Sequence, residues 1–188
     1  GVQTCALPIC IPGKEEFAET LRYFQNLLAK RNVQVRLGQH VQAEHLRDFD
    51  QVILATGVKP RLPHLPGLNH VKVKTYIEAI QHPERIGQRV AIIGAGGIAF
   101  DVAEMLSDPK QPATANPLAR YLNEWGIDPT LTRSGGLVAP MPSTSERHIV
   151  MLQRSSGRHG KNLARTTGWI KRTQLERRGV QQLSNVMY

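Results

Sequence analysis

The feature that most constrains this chain is a short apolar run that breaks into a cluster of glycines and then resumes with helical spacing. Residues 90–93, Val-Ala-Ile-Ile, are typical of a strand buried on both faces of a parallel sheet. Beyond the glycines, four apolar residues fall on one face of a helix: Ile98, Val102, Met105 and Leu106. The stretch 89–101 therefore predicts a strand, a tight turn and a helix.

The turn between strand and helix has the spacing of a dinucleotide-binding loop. Gly94, Gly96 and Ala99 give the pattern G-x-G-x-x-A, in which the first glycine allows the sharp turn and the second lets a pyrophosphate approach. Free N–H groups and the positive end of the helix dipole lie at the same place. We therefore expect a phosphate-binding loop made of five residues: Gly94, Gly96, Gly97, Ile98 and Ala99. A turn that binds nothing is the alternative.

A second apolar run lies upstream of this loop. Residues 49–60 predict a buried strand that ends in Ala55, Thr56 and Gly57, with Pro60 shortly after. This Ala-Thr-Gly ending is typical of the flavin domain in flavoproteins with two dinucleotide-binding domains, where it precedes the nicotinamide loop. We therefore expect Ala55, Thr56 and Gly57 to belong to a partial FAD site.

Other periodic segments complete an α/β pattern. Apolar residues at helical spacing predict a helix from Lys14 to Arg31, and alternation predicts a strand over 32–38. Further helices are expected over 75–81, 118–125 and 166–178, and further strands over 148–153 and 180–186. The predicted fold is α/β: a Rossmann-like parallel sheet with flanking helices, forming a partial NADPH domain, preceded by a partial FAD-domain segment.

The distribution of proline and glycine predicts where these parts meet. Residues 60–69 contain three prolines and Gly67, a composition typical of a linker. We expect an irregular lead-in over 1–11, hypothesised to be foreign sequence, a partial FAD-binding segment over 12–60, a linker over 61–87 and a partial NADPH-binding domain over 88–188. Because the chain starts without methionine and stops directly after a strand-like stretch, we expect a fragment of a longer polypeptide.

Basic residues are concentrated near the end of the chain. The sequence has 24 Lys and Arg against 15 Asp and Glu, a net charge of +9. Between Arg147 and Arg178 there are nine basic residues and a single acidic one, Glu176. An anionic partner is therefore expected near this segment.

The end of the second strand of the Rossmann-like domain bears on cofactor choice. An NAD site places an acidic residue there to accept a hydrogen bond from the ribose 2′-hydroxyl. Here the strand is followed instead by Arg154, Arg158 and Lys161, which favour a 2′-phosphate and hence NADPH. These residues follow Gly94 by far more than the roughly 20 residues of the general fingerprint, so an insertion is expected. A solvated basic loop is the alternative.

Several other residues are expected to have structural roles. Four basic residues of the following helix are interpreted as a solvated face: Lys171, Arg172, Arg177 and Arg178. Asp101 is expected to stabilise the first turn of its helix, and His148 is interpreted as a packed histidine. Trp125 and Trp169 are interpreted as core or interface residues.

Seven short sequence motifs in this chain match one enzyme family. They are Gly-Lys-Glu-Glu-Phe (13–17), Glu-Thr-Leu-Arg-Tyr (19–23), Ile-Leu-Ala-Thr-Gly (53–57), Ala-Ile-Ile-Gly-Ala-Gly-Gly-Ile (91–98), Asn-Glu-Trp-Gly-Ile-Asp (123–128), Val-Met-Leu-Gln-Arg (150–154) and Thr-Thr-Gly-Trp-Ile (166–170). Together they resemble the bacterial NADPH-dependent 2,4-dienoyl-CoA reductases over about residues 12–188. The last three motifs are more specific to that family than to flavoproteins in general.

The resemblance implies a long flavoprotein oxidoreductase of unsaturated fatty acid β-oxidation. Such an enzyme has a TIM barrel that holds FMN and a [4Fe-4S] cluster, then an FAD-binding domain with an NADPH-binding domain inserted in it. Electrons pass from NADPH to FAD, through the cluster to FMN, and then to the 2,4-dienoyl-CoA. Since the barrel is not in this chain, no catalytic residue is expected here, and Cys5 and Cys10 do not fit the pattern of cluster ligands.

Two other functions remain open at this point. One is the nucleotide-binding, electron-transfer part of a different two-dinucleotide-domain flavoprotein. The other is a basic nucleic-acid-binding module, although only 5% of residues are aromatic and no recognition motif is present, so no nucleic-acid partner is expected. Metal-ligand and nucleophile patterns are also absent from the sequence, as are membrane-length apolar runs and a signal peptide. Two cysteines cannot make a disulfide scaffold, so a cytoplasmic location is expected.

Overall fold

The computed structural model describes residues 7–57, 59–109 and 116–188. The chain forms two compact units, Gly1–His64 and Leu65–Tyr188. Their helices and strands are, in chain order, α1 (Phe17–Lys30), α2 (Tyr76–Gln81), β1 (Arg89–Ile93), α3 (Gly97–Ser107), α4 (Pro117–Trp125), β2 (His148–Leu152), α5 (Gly168–Arg177) and β3 (Gln181–Leu183). Among the described residues, none of the helices combines the length and apolar character that a membrane span requires.

The first unit contains the amphipathic helix α1. Its charges follow the helix dipole, with Glu19 in the first turn and Lys30 in the last, as the sequence predicts. The apolar face of the helix nevertheless contains no buried residue, and Phe17 and Phe24 are about half exposed. The helix is therefore confirmed, but its apolar face stays largely uncovered, although Ile11 of the same unit is 2% exposed.

Two strands predicted for the first unit are wrong. Residues 32–38 and 51–57 run as irregular backbone, and 89% of the surface of Ile53 is exposed. A strand exists only through hydrogen bonds to a neighbouring strand, and the described part of this unit provides no neighbour. The apolar patterns of these two segments therefore do not lead to strands, because the sheet that would bury them is not formed by the described residues.

The second unit is built on a three-stranded parallel sheet in the order β1-β2-β3. Arg89 to Ile93 pair in register with His148 to Leu152, and Leu152 pairs with Leu183. The carboxyl ends of all three strands therefore meet at one edge of the sheet. The predicted strand 148–153 is confirmed over residues 148–152, and the predicted strand 180–186 over residues 181–183.

The core of this unit lies between the sheet and its helices. Its fully buried side chains include Phe100 of α3, Ile149 and Met151 of β2, and Leu175 of α5. In β1 the residues alternate between exposed and half-buried, and Ile93 is half exposed. The prediction that residues 90–93 are buried on both faces is wrong, because the helices cover this edge strand on one face only.

The expected insertion between α3 and β2 is confirmed. It contains α4, whose N-terminus is capped by the Asn116 side chain and which ends at Gly126 with φ of +70°. The following loop is organised by Asp128, whose carboxylate accepts hydrogen bonds from the hydroxyl and N–H groups of Thr130 and Thr132 and from the Arg133 N–H. These hydrogen bonds, led by the Thr130 hydroxyl, hold the pKa of Asp128 far below its ordinary value.

Candidate functional site

The glycine loop connects the end of β1 to the start of α3. Gly94 has φ of +126°, which side-chain-bearing residues rarely adopt, and its N–H donates to the Leu152 carbonyl at 2.8 Å. Gly96 is the N-cap of α3, with φ of −86° and ψ of −178° and no side chain to cap the helix. The predicted strand, turn and helix are therefore confirmed.

The first amides of α3 are available to an anion. Phe100 donates to the Gly96 carbonyl at 3.1 Å, so intrahelical bonding begins there. The N–H groups of Gly97, Ile98 and Ala99 precede this bond and have no intrahelical acceptor. Ile98 is 51% exposed, because it belongs to the open first turn of the helix.

The space around the glycines of this loop is open. A Cβ atom built on Gly94, Gly96 or Gly97 meets no other atom within 4 Å. Gly94 is required by its backbone conformation, but Gly96 and Gly97 have ordinary φ values. Since neither packing nor conformation demands glycine at these two positions, close approach of a ligand to the backbone is the physical reason that remains.

The basic loop, residues 154–165, lies against the glycine loop. Ile93 pairs with Leu152, so both loops start at the same edge of the sheet. The Gly160 N–H donates to the Ala95 carbonyl at 3.1 Å. A Cβ on Gly160 would lie 2.5 Å from Leu163 and 2.9 Å from the Phe100 ring, so only glycine allows this approach. Tertiary structure thus brings together residues that are far apart in the sequence.

The three basic residues predicted to recognise a 2′-phosphate are exposed on this loop. Arg154 follows β2 directly, and Arg158 and Lys161 flank the His159–Gly160 pair. Within the described ranges none of the three forms an ion pair, and the Arg154 guanidinium lies 5.9 Å from the centre of the Tyr188 ring. Their charges are therefore available to an anionic ligand.

Gln153 is a residue of this site that sequence reasoning missed. Its side chain is buried, and its Nε2 atom donates to the carbonyls of Ser155 at 3.0 Å and Gly157 at 2.9 Å, and to the Ser184 hydroxyl at 3.2 Å. The Ser184 hydroxyl in turn donates to the Gly157 carbonyl at 2.6 Å. The turn after β2 is therefore fixed from inside. No local pattern in the sequence signals this role.

His159 is a second residue that sequence reasoning missed. It is only 2% exposed, and neither ring nitrogen has a hydrogen-bond partner among the described residues. Buried polar groups are nearly always paired, so this imidazole is an exception within the unit. His159 directly precedes Gly160, whose N–H joins the basic loop to the glycine loop.

The basic helix α5 is not a solvated face, and this prediction is wrong. Lys171 contacts Asp101 at 2.7 Å and Glu104 at 3.0 Å, joining α5 to α3. Burial alone would lower the pKa of Lys171, but the hydrogen bonds to these carboxylates outweigh it and raise the pKa above its ordinary value. Asp101 thus contributes to the junction between α3 and α5.

The arginines of this helix are also engaged. Arg172 donates to the Gly160 carbonyl at 3.4 Å, and Arg177 donates to the Glu124 carbonyl at 3.0 Å while stacking 4.8 Å above the Trp125 ring. Arg178 is buried and contacts Asp108 at 3.0 Å. The positive charges of these arginines are therefore engaged by acceptors of the same unit, because their side chains face other elements of that unit.

Three further expectations are resolved by burial. His148 is exposed, so its interpretation as a packed histidine is wrong: it is the first residue of β2, before the pairing of β2 with β3 begins at Val150. Trp125 and Trp169 contact each other edge to face at 6.3 Å. Trp169 is nevertheless 53% exposed, so this pair belongs to the surface between α4 and α5 rather than to the core.

The residues predicted to contact FAD lie in the first unit. Ala55, Thr56 and Gly57 are exposed and lie outside regular secondary structure, and Gly57 has φ of +73°. Their role stays a prediction. Across the ranges that the structure describes, no group of three or more His, Cys, Asp or Glu side chains has the arrangement of a metal site.

The described geometry agrees with a comparison against known families. The family model of the pyridine nucleotide-disulphide oxidoreductases matches residues 4–181 of the chain. The chain belongs to this family. The members of this family are flavoprotein oxidoreductases that use NAD(P)H, and membership confirms the Rossmann-like α/β fold class of this chain.

Reductases are among the relatives of this chain. A bilirubin reductase of Mediterraneibacter gnavus is 31% identical over 99 residues, which are 52% of this chain and 15% of the relative. Mercuric reductases of Shigella flexneri and Staphylococcus aureus are 35% and 30% identical over 101 and 92 residues, which are 54% and 48% of this chain. The matches span 17% and 15% of those two enzymes, so the chain is similar to one small part of each relative.

A solved structure shares the fold of nearly the whole chain. It is a 2-naphthoyl-CoA reductase in complex with 2-naphthoyl-CoA, with a TM-score of 0.68 and 17% sequence identity. The superposition covers 96% of this chain and 22% of the reductase. At this identity the likeness shows the fold alone.

Proposed function

We propose that this chain carries the NADPH-binding part of a flavoprotein reductase that acts on 2,4-dienoyl-CoA thioesters. The observation that carries the nucleotide assignment is the hydrogen bond between Gly160 and Ala95, which places the basic loop on the glycine loop. In this assignment the amides of Gly97, Ile98 and Ala99 hold the pyrophosphate at the start of α3. NADPH, when bound, supplies the hydride.

The choice of NADPH over NADH rests on charge. Arg154, Arg158 and Lys161 lie at the end of β2, where the nucleotide ribose is bound in Rossmann folds, and the loop has no acidic residue to receive a 2′-hydroxyl. Because these three cations lack ion-pair partners in the described part of the chain, a 2′-phosphate would not have to compete with internal carboxylates. An arginine also offers paired N–H donors that match phosphate oxygens.

The first unit fits an incomplete flavin domain. Its helix α1 exposes an apolar face, and the extended segment ending in Ala55, Thr56 and Gly57 exposes Ile53 and Leu54. Apolar surface of this size is normally covered in a folded protein. We infer that a longer polypeptide supplies the remaining flavin domain, and that FAD, FMN and the [4Fe-4S] cluster belong to that polypeptide.

The substrate assignment rests on short sequence motifs, and the fold of one solved structure is consistent with it. By their names, the relatives reduce substrates as different as bilirubin and mercuric ion. The family therefore does not determine the substrate. The motifs at 123–128, 150–154 and 166–170 resemble the dienoyl-CoA reductases. A structural neighbour that is a CoA-thioester reductase is consistent with that choice.

The nucleotide assignment is tested by binding to the full chain. Titration with NADPH and NADH is expected to show tighter binding of NADPH, and Arg154→Ala is expected to weaken NADPH by roughly tenfold, or about 1.4 kcal/mol, without changing NADH. Arg133→Ala removes the same charge from an exposed residue of the insertion and serves as the control. Equal affinity for both nucleotides, or tighter binding of a random DNA duplex, would overturn the assignment.

The substrate assignment requires the polypeptide encoded by the complete reading frame. With its flavins and cluster loaded, that protein is expected to oxidise NADPH when 2,4-hexadienoyl-CoA is added. The flanking sequence should encode a barrel with cysteine ligands on one side and the rest of a flavin domain on the other. Turnover with mercuric ion or bilirubin but not with the dienoyl-CoA would contradict the proposal.

A further inference from the structure

One buried polar side chain at the edge of the sheet is not used by the nucleotide assignment. Gln153 is the first residue after β2 and is 8% exposed. Its backbone is anchored on both sides, since its N–H donates to the Leu183 carbonyl at 3.0 Å and its carbonyl accepts from Val186 at 3.1 Å. A side chain held so firmly imposes its own geometry on the loop that follows.

We propose that Gln153 is a positioning residue for NADPH selectivity: its carboxamide fixes the backbone between Arg154 and Arg158. This inference rests on the function proposed above, in which those arginines bind the 2′-phosphate. The Nε2 atom reaches the carbonyls of Ser155 and Gly157 at 3.0 and 2.9 Å. Both acceptors lie between the two arginines.

The same bonds keep Gln153 away from the nucleotide. A carboxamide has two N–H donors, and Nε2 already has three acceptors within 3.2 Å. It therefore has no donor left for a ribose hydroxyl or a phosphate. Since a 2′-phosphate is bound by donors, the effect of Gln153 on the 2′-phosphate has to pass through the loop.

The end of β3 completes the brace around this turn. Ser184 donates to the Gly157 carbonyl at 2.6 Å, and the Asn185 N–H donates to the Ser155 carbonyl at 3.2 Å. The turn is thus fixed to the sheet before any ligand arrives. A loop that is ordered in advance does not lose conformational entropy on binding, so the affinity of its charged groups is higher.

The test uses the full chain and two substitutions. Gln153→Met keeps the shape and removes both donors, and Gln153→Glu places carboxylate oxygens against two carbonyls. We expect each variant to weaken NADPH by about tenfold, the size of a lost hydrogen-bond brace, and to change NADH by less than about twofold. Gln181→Met changes an exposed glutamine on β3 and is the matched control.

Hydrogen exchange provides a readout that does not depend on nucleotide. The amides of Gly160 and Asn185 are bonded across the loop, and they are expected to exchange faster in Gln153→Met than in Gln181→Met. Should Gln153→Met fold poorly, Ser184→Ala removes one acceptor and one donor of the same brace and replaces it in both measurements.

Three results would overturn the inference. They are unchanged exchange at Gly160 and Asn185, unchanged NADPH affinity in the variants, and an equal loss for NADPH and NADH, which would indicate a merely structural role. A wild-type chain that does not prefer NADPH contradicts the proposed function instead, and the exchange measurement then still decides whether Gln153 fixes the loop.

Discussion

The backbone N–H of Gly160 donates a hydrogen bond to the carbonyl of Ala95 at 3.1 Å. This contact joins the basic loop to the glycine loop, although the insertion with α4 separates them along the chain. It also explains the glycine at position 160, where any side chain would run into Leu163 and Phe100.

Gly160→Ala is expected to destabilise the second unit more than Gly157→Ala. Both residues have positive φ, +68° and +91°, so each substitution adds backbone strain of about 1–2 kcal/mol. Only Gly160 lacks space for a methyl group, and crowding adds about 1–3 kcal/mol. Urea unfolding measures the difference, and equal losses in the two variants would contradict the close contact.

Gly96→Ser separates stability from ligand binding. Gly96 is the N-cap of α3 with extended backbone and open space around it, and serine is a better N-cap than glycine by a few tenths of a kcal/mol. The free energy of unfolding should therefore stay the same or rise slightly. The NADPH dissociation constant is expected to increase by roughly tenfold or more because the side chain occupies the path of the pyrophosphate.

Gly94→Ala is the matched comparison for that substitution. With φ of +126°, alanine at this position is strained by about 1–3 kcal/mol, so thermal unfolding should occur at lower temperature. If Gly96→Ser binds NADPH as tightly as the wild-type chain, the phosphate site is not at this turn.

Lys171→Met should weaken the junction of α3 and α5. It leaves Asp101 and Glu104 without the ammonium group that contacts both, and we expect a loss of about 1–2 kcal/mol, between the values for exposed and buried pairs. Denaturant unfolding measures the loss. Lys161→Met, which removes an exposed lysine with no ion pair in the described ranges, is the control and should be near neutral.

The same pair predicts a pH dependence at the alkaline end. The pKa of Lys171 is raised in the folded state, so its contribution is complete below the unfolded value of about 10.4 and is lost as pH rises through the folded pKa. The stability difference between wild type and Lys171→Met should therefore narrow above about pH 10.4. A constant difference up to higher pH would contradict the ion pair.

Asp128→Asn should loosen the loop that follows α4. The amide nitrogen would face N–H groups of Thr132 and Arg133, which are donors themselves. Hydrogen exchange at the amides of Thr130, Thr132 and Arg133 is expected to accelerate, whereas Asp50→Asn, at an exposed position of the first unit, should leave these amides unchanged.

Acid titration provides a second measurement on the same loop. The pKa of Asp128 is lowered by its hydrogen bonds, so its contribution is present above the unfolded value of about 3.9 and is lost as pH falls through the folded pKa. The difference in melting temperature between wild type and Asp128→Asn should shrink below about pH 4. A difference that persists unchanged in strong acid would contradict the role of the carboxylate.

The sequence predicted the elements of the second unit well because their signals are local. The run 90–93, the glycines and the helical spacing after them lie within a few turns of one another, and β1 and α3 formed as expected. The signal that ends α5 is equally local: Gly179, with φ of +80°, lies two residues beyond the last helical residue. The strand patterns at 32–38 and 51–57 failed, because a strand depends on neighbours that a local pattern does not contain.

By itself, the sequence determined where the helices and the strands of the second unit lie, where the glycine loop is, and that basic residues follow β2. Only the tertiary structure decided which of those charges are engaged: Lys171 and Arg178 pair with carboxylates of the same unit, whereas Arg154 and Arg158 remain exposed beside the loop. It also revealed that the buried Gln153 side chain is hydrogen-bonded to the basic loop at Ser155 and Gly157. Charge and helical periodicity are properties of the chain, but pairing and burial depend on which elements the fold brings together.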